Sequence, residues 1–249
     1  MEEEMMWRSV QSHAPNHLRQ YLELQFGAKT TQDLVTKYRI GTAAKWDGAT
    51  VFWQVDVSGH VRGGKVMHYN PLTGRRIKDR ISWAHTCLKL RDYNLRQCLF
   101  GEHLLKENPG KPVALVESEK TAVIASAYLP QYVWLAVGGK TGLKQEKLQV
   151  LRGKDVTLFP DLQAYEMWNM KAKELSWVTH FQVSDLLERI ATEEERVQGL
   201  DLADYLVQLE ISVAQAMQLT GSPSLLRRNR HHNCETAGYK KLKLFLVGA

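Results

Sequence analysis

The stretch PVALVESEKTAVIASAYLP, residues 112–130, decides the fold: a short apolar run ends in Glu117, and a helix-forming segment follows at once. An unbroken apolar run of this length, bounded by turn and breaker residues, reads as a strand buried on both faces, the habit of a parallel sheet. The alternation continues along the chain. YVWLAV (132–137) precedes KQEKLQVL (144–151), DVTLFP (155–160) precedes QAYEMWNMKAKELS (163–176), and VTHFQV (178–183) precedes SDLLERIA (184–191). Strands separated by helices of this length predict right-handed βαβ crossovers, hence an α/β domain with a mostly parallel sheet and flanking helices.

In open sheets of this kind, ligands gather beyond the carboxyl ends of the strands. Glu117 stands at that end of the first strand and Asp161 at the same end of the third, while Asp201 and Asp204 in GLDLADYL follow the last strand. Carboxylates brought together repel, and a divalent cation or a proton resolves the repulsion. Equally, each acid suits the start of the helix after it, where negative charge meets the positive end of the helix dipole. Spacing alone leaves both readings open.

Upstream the pattern differs. NHLRQYLELQF (16–26) and TQDLVTKYR (31–39) carry helical spacing, and ATVFWQVDV (49–57) with VRGGKVMHY (61–69) reads as a hairpin, followed by a turn at NPLTG (70–74). NLRQCLFGEHLLKENPG (94–110) reads as a short helix closed by Pro-Gly. The expected division is a helical and basic β-rich unit over 1–108, an α/β domain over 109–210, and a C-terminal helix with a basic tail over 211–249.

Charge is concentrated in the first unit. Between His60 and Arg91, eight Lys and Arg face Asp79 alone, a surplus larger than the +6 of the whole chain. Arg62, Lys65, Arg75, Arg76, Lys78 and Arg80 are the candidate nucleic-acid contacts, with Tyr69, Trp83, Trp46, Phe52 and Trp53 nearby to stack on bases. A solvated basic face on a small sheet explains the same residues without a ligand.

Several classes are disfavoured. No apolar run is long enough to span a bilayer and the start is acidic, so a cytoplasmic protein without a membrane role is expected. Cys87, Cys98 and Cys234 form no CxxC pair, which argues for free thiols, and RHHNC (230–234) packs its ligand atoms too closely to close a metal site alone. GGKTG (138–142) resembles a P-loop ending, but the required earlier glycine would fall at Trp134, so no ATPase or helicase domain is expected. The loop reads as a strand-to-helix turn, with Lys140 within reach of a phosphate at the rim.

VALVESEKTAVIA (113–125) and VTLFPDLQAYEMW (156–168) resemble the two acidic motifs of the TOPRIM fold, and GLDLADYLV (199–207) resembles the later acidic motif of primases. CLFGEHLLKENPGKPVALVE (98–117) and RGGKVMHYNPLTGRRIK (62–78) are similar to the joining segment and the basic template-handling subdomain of phage primase-helicases. The likeness extends to primase-like proteins of Bacteroidetes mobile elements. It implies single-stranded DNA and nucleoside triphosphates as partners, primer synthesis as the activity, Glu117 and Asp161 as catalytic residues, and Glu117, Asp161, Asp201 and Asp204 as ligands of Mg²⁺ or Mn²⁺. It also implies a separate zinc-binding or helicase partner, since primases of this type read their template through a zinc module. Two departures stand out: Ser118 replaces the usual Gly, and Gln163 stands where the second Asp of Asp-x-Asp is expected. A neutral amide binds a hard cation less well than a carboxylate. Two rival expectations therefore accompany primer synthesis: a TOPRIM nucleic-acid-binding protein whose catalytic site has decayed, and a TOPRIM nuclease. Exchange of Gln163 for Asp is expected to tighten metal binding.

Overall fold

A computed structural model describes residues 2–90, 93 and 95–208. The chain opens with helices α1 (Glu2–Val10) and α2 (His17–Lys37), the second kinked at Gly27, whose φ of 74° lies outside the helical region. That kink separates the two helical segments read from the sequence. Asn16 caps α2 by accepting from the Arg19 amide.

Strands β1 (Ile40–Ala43), β2 (Ala49–Val55), β3 (Val61–Tyr69) and β4 (Arg76–Trp83) then form an antiparallel sheet in the order β1-β2-β3-β4. The expected hairpin is β2–β3. In the β3–β4 turn, the Asn70 carboxamide accepts from the Leu72 and Thr73 amides and so organises NPLTG. The register shifts between β3 and β4, and Asp79 sits there at φ 60°, so edge strand β4 bulges where its charges are densest.

After the single turns α3 (Ala84–Cys87) and α4 (Leu104–Glu107) come β5 (Val113–Val116), α5 (Glu119–Tyr128), β6 (Val133–Ala136), α6 (Gln145–Leu148), β7 (Val156–Leu158), α7 (Tyr165–Glu174), β8 (Phe181–Val183), α8 (Leu186–Ile190) and α9 (Glu193–Gln198). Residues 202–208 are helical at the end of the described chain. The second sheet is wholly parallel, in the order β6-β5-β7-β8, with helices flanking it, as the strand and helix alternation predicts. Central strand β5 is buried throughout, which is why its sequence is unbroken Val-Ala-Leu-Val.

The helix expected over 94–110 shrinks to α4, its last turn. Tertiary pairing wins over local propensity here: Phe100 exchanges both backbone hydrogen bonds with Ala136 of β6, and Gly101 turns at φ 83°. The Glu102 carboxylate accepts from the amides of Val57 and Leu99, and the His103 amide donates to the Val55 carbonyl. Residues 99–103 therefore stitch the first sheet to the second. The Tyr38 hydroxyl does the same from the end of α2, donating to the Trp134 carbonyl at 3.1 Å.

Among the described residues Cys87 and Cys98 are free thiols, and no helix is long and apolar enough to cross a membrane. The expected C-terminal helix and basic tail, with Cys234 and the RHHNC motif, lie outside the described residues.

Candidate active site

Strand order locates the site. From β5 the chain moves to β6 on one side and then crosses to β7 on the other, so the crevice beyond the carboxyl ends of β5 and β7 is a topological switch point. Glu117 follows β5 and Asp161 follows β7, and the Glu117 carboxylate accepts a hydrogen bond from the Asp161 amide. Glu117 is 7% exposed. One oxygen of each acid, Glu117 Oε1 and Asp161 Oδ1, is buried without a hydrogen-bond partner. Burial pushes the Glu117 carboxyl up from its ordinary range, against the Asp161 amide and the Lys140 cation, which favour the charged form. Burial, with the neighbouring charges of Asp201, Glu117 and Asp204, pushes Asp161 up to about 9.

Helix α5 begins beside these acids. Ser118 is its N-cap, its hydroxyl accepting from the Thr121 amide at 3.1 Å, so the residue that departs from the usual Gly starts the helix in its own way. The Thr121 hydroxyl donates to Asp201 Oδ2 at 2.7 Å. Asp201 and Asp204 bond to each other's backbone amides at 3.1 Å in the turn that opens residues 202–208. Burial and Asp201 push the Asp204 carboxyl up, while Lys120 and Arg75 pull it down. The four acids named from the sequence thus meet at one end of the parallel sheet, with the basic β3–β4 turn close enough for Arg75 to act on Asp204.

Gln163 does not join them. Its backbone is left-handed at φ 67°, its amide nitrogen donates to the Arg196 carbonyl at 2.7 Å, and its side chain is exposed. The GGKTG segment is a turn, with Gly138 at φ 90° and Gly142 packed so closely that a Cβ would meet the Val137 carbonyl oxygen at 2.5 Å. Lys140 is exposed at this rim, its ammonium 3.3 Å from the Gln163 carbonyl.

The basic candidates divide. Arg75, Arg76, Lys78 and Arg80 are exposed on the β3–β4 turn and β4. Arg62 is held by Asp56 at 2.6 Å, and Lys65 is drawn inward onto Glu119 at 3.1 Å and the Gly138 carbonyl at 3.0 Å. Of the aromatics, Phe52, Trp53 and Tyr69 are buried in the core and present no face to a base, whereas Trp46 and Trp83 are half-buried. Arg80 lies over the Trp46 ring.

Glu119, Lys120 and Thr121 were not singled out in the sequence. The available signal was Lys120 itself, a cation in the first turn of a helix, where the dipole disfavours it unless carboxylates face it.

The Glu117–Asp161 pair fits a hard divalent cation, because two buried carboxylate oxygens lack any partner. Among the described residues no three His, Cys, Asp or Glu side chains are grouped so as to hold a metal by themselves. Such a fit suits Mg²⁺, which is commonly held by one or two carboxylates and completes its shell with water and substrate phosphates.

The fold is similar to that of primase catalytic cores. The chain is 13% identical to the RNA polymerase domain of Mycobacterium tuberculosis primase DnaG, covering 99% of this chain and 96% of that one with a TM-score of 0.53. Against a DnaG catalytic core the identity is 16%, the coverage 97% and 91%, and the TM-score 0.50. The primase fragment of the bacteriophage T7 primase-helicase is 19% identical with a TM-score of 0.41, and the chain spans 60% of its length. A family model described as "Domain of unknown function (DUF6371)" matches residues 16–162, and the chain belongs to that family. No curated protein matches it.

Proposed function

We propose that the protein is a primase-like replication protein of the TOPRIM type, which binds single-stranded DNA along its basic β-rich unit and synthesises primers from nucleoside triphosphates at the acidic edge. The observation that carries this reading is the pair of unpartnered, buried oxygens on Glu117 and Asp161 at the switch point of a parallel sheet. Glu117 and Asp161 would hold Mg²⁺ or Mn²⁺, which supplies positive charge to phosphoryl oxygens as they develop charge in line. The chain's own groups do the rest. Arg75, Arg76, Lys78 and Arg80 neutralise template phosphates, and Lys140 is placed to meet a triphosphate. Asp201 and Asp204, bonded to each other's backbone, stiffen the far side of the site. The functional division is a template-handling unit over 1–108 and a catalytic domain over 109–210, with the zinc-dependent or helicase activity supplied by a separate partner.

A second reading, a nucleic-acid-binding protein with a decayed catalytic site, is favoured by one observation: Gln163 occupies the position of a third acid and bonds to Arg196 instead. A primer-synthesis assay on single-stranded DNA with labelled nucleoside triphosphates and Mg²⁺ or Mn²⁺ separates the two. Labelled primer from the wild type, lost in Glu117→Ala, supports the enzyme. DNA binding without primer leaves the second reading standing.

A further inference from the structure

Lys120 lies in the first turn of α5, where the helix dipole disfavours a cation, yet its side chain is only 13% exposed. Its ammonium is 3.9 Å from Asp204 Oδ1. Burial works against its charge, but the carboxylates of Asp201, Asp204 and Asp161 outweigh it and hold the ammonium charged. The acids therefore fall into two halves. Asp201 and Asp204 are bonded within their own turn, tied to Thr121 and faced by Lys120. Glu117 and Asp161 keep the unpartnered oxygens.

We infer that Lys120 is a built-in counter-ion that takes the place of a second divalent cation, so that the site accepts one divalent ion, at Glu117 and Asp161. The inference rests on the metal-binding reading above and specifies its stoichiometry. An ammonium is a compact fixed charge. Beside Asp204 it satisfies carboxylates that would otherwise recruit a cation, and it repels any divalent ion that approaches them.

The test is a Mn²⁺ titration of the full chain, followed by calorimetry and by electron paramagnetic resonance of the free ion, for wild type, Lys120→Met and Lys120→Arg. Circular dichroism confirms that each variant folds. One ion is expected in the wild type and in Lys120→Arg. Lys120→Met, which keeps the stem and removes the charge, is expected to bind a second ion or to bind the first roughly tenfold more tightly, the scale on which one neighbouring charge acts. Two ions in the wild type, or identical binding by wild type and Lys120→Met, would overturn the counter-ion role and leave the metal-binding reading intact. Binding by Lys120→Met alone would support the counter-ion and sink metal-dependent catalysis in the natural protein. No binding by any variant removes both. Should Lys120→Met not fold, the wild-type stoichiometry still decides.

Discussion

Lys65 of β3 reaches out of the antiparallel sheet and pairs with Glu119, the first residue of α5, at 3.1 Å, while also donating to the Gly138 carbonyl. The Glu119 side chain is 1% exposed. One ion pair thus fastens the basic unit to the helix that carries the acidic edge, and it removes Lys65 from the set of cations free to meet DNA.

Lys65→Met should therefore act through stability. Removing one partner leaves a buried carboxylate uncompensated, which costs about 3–5 kcal/mol, whereas Lys65→Met combined with Glu119→Gln removes both charges and should recover most of the loss. Urea denaturation of the three proteins measures this. A single variant as stable as the wild type would show that the pair does not fasten the two sheets.

Asp161 should make stability fall as pH rises. Its carboxyl is held up to about 9 in the folded protein against an ordinary 3.8, so between these values the folded chain keeps a proton that the unfolded chain releases. The stabilisation is complete below the lower value and is lost as pH climbs through the upper one. Glu117 and Asp204, also raised, add slopes of the same sign. Melting temperatures from pH 6 to 9 should decline in the wild type and flatten in Asp161→Asn, and millimolar Mg²⁺ should recover the loss at pH 9 by binding the folded state alone. A wild-type profile as flat as that of Asp161→Asn would refute this.

The exposed cations of the β3–β4 turn should govern DNA binding. Charge reversal at Arg75 and Arg76 together is expected to weaken single-stranded DNA binding and to reduce the logarithmic salt slope by about 1.4, at roughly 0.7 for each phosphate no longer neutralised. Fluorescence anisotropy across a salt series measures both. An unchanged slope would mean that this face is merely solvated.

Gln163→Asp, expected from the sequence alone to tighten metal binding, should now leave Mg²⁺ affinity within about threefold of the wild type, since the side chain is engaged with the Arg196 carbonyl. Loss of that hydrogen bond should cost about 1 kcal/mol. Calorimetry alongside thermal melting checks the pair of outcomes, and a tenfold gain in affinity would show that the new carboxylate turns inward.

The parallel sheet was legible because buried strands between helices announce themselves as unbroken apolar runs, and Glu117 and Asp161 were legible because such strands put their next residues at a common edge. The β2–β3 hairpin and the Asn70 turn that follows β3 were legible from equally local signals. Three things were decided only by the tertiary structure. Residues 95–103 give up helix because Phe100 finds backbone partners in Ala136, a pairing across 36 positions that no local window contains. Lys65 and Arg62, cations like Arg75 and Arg76, are tied down because particular acids, Glu119 and Asp56, lie within reach. Lys120 enters the acidic edge because α5 starts beside the turn that carries Asp201 and Asp204. Periodicity reports which face of an element is buried, but the partner of a charge is set by the meeting of distant segments, and that requires the folded chain.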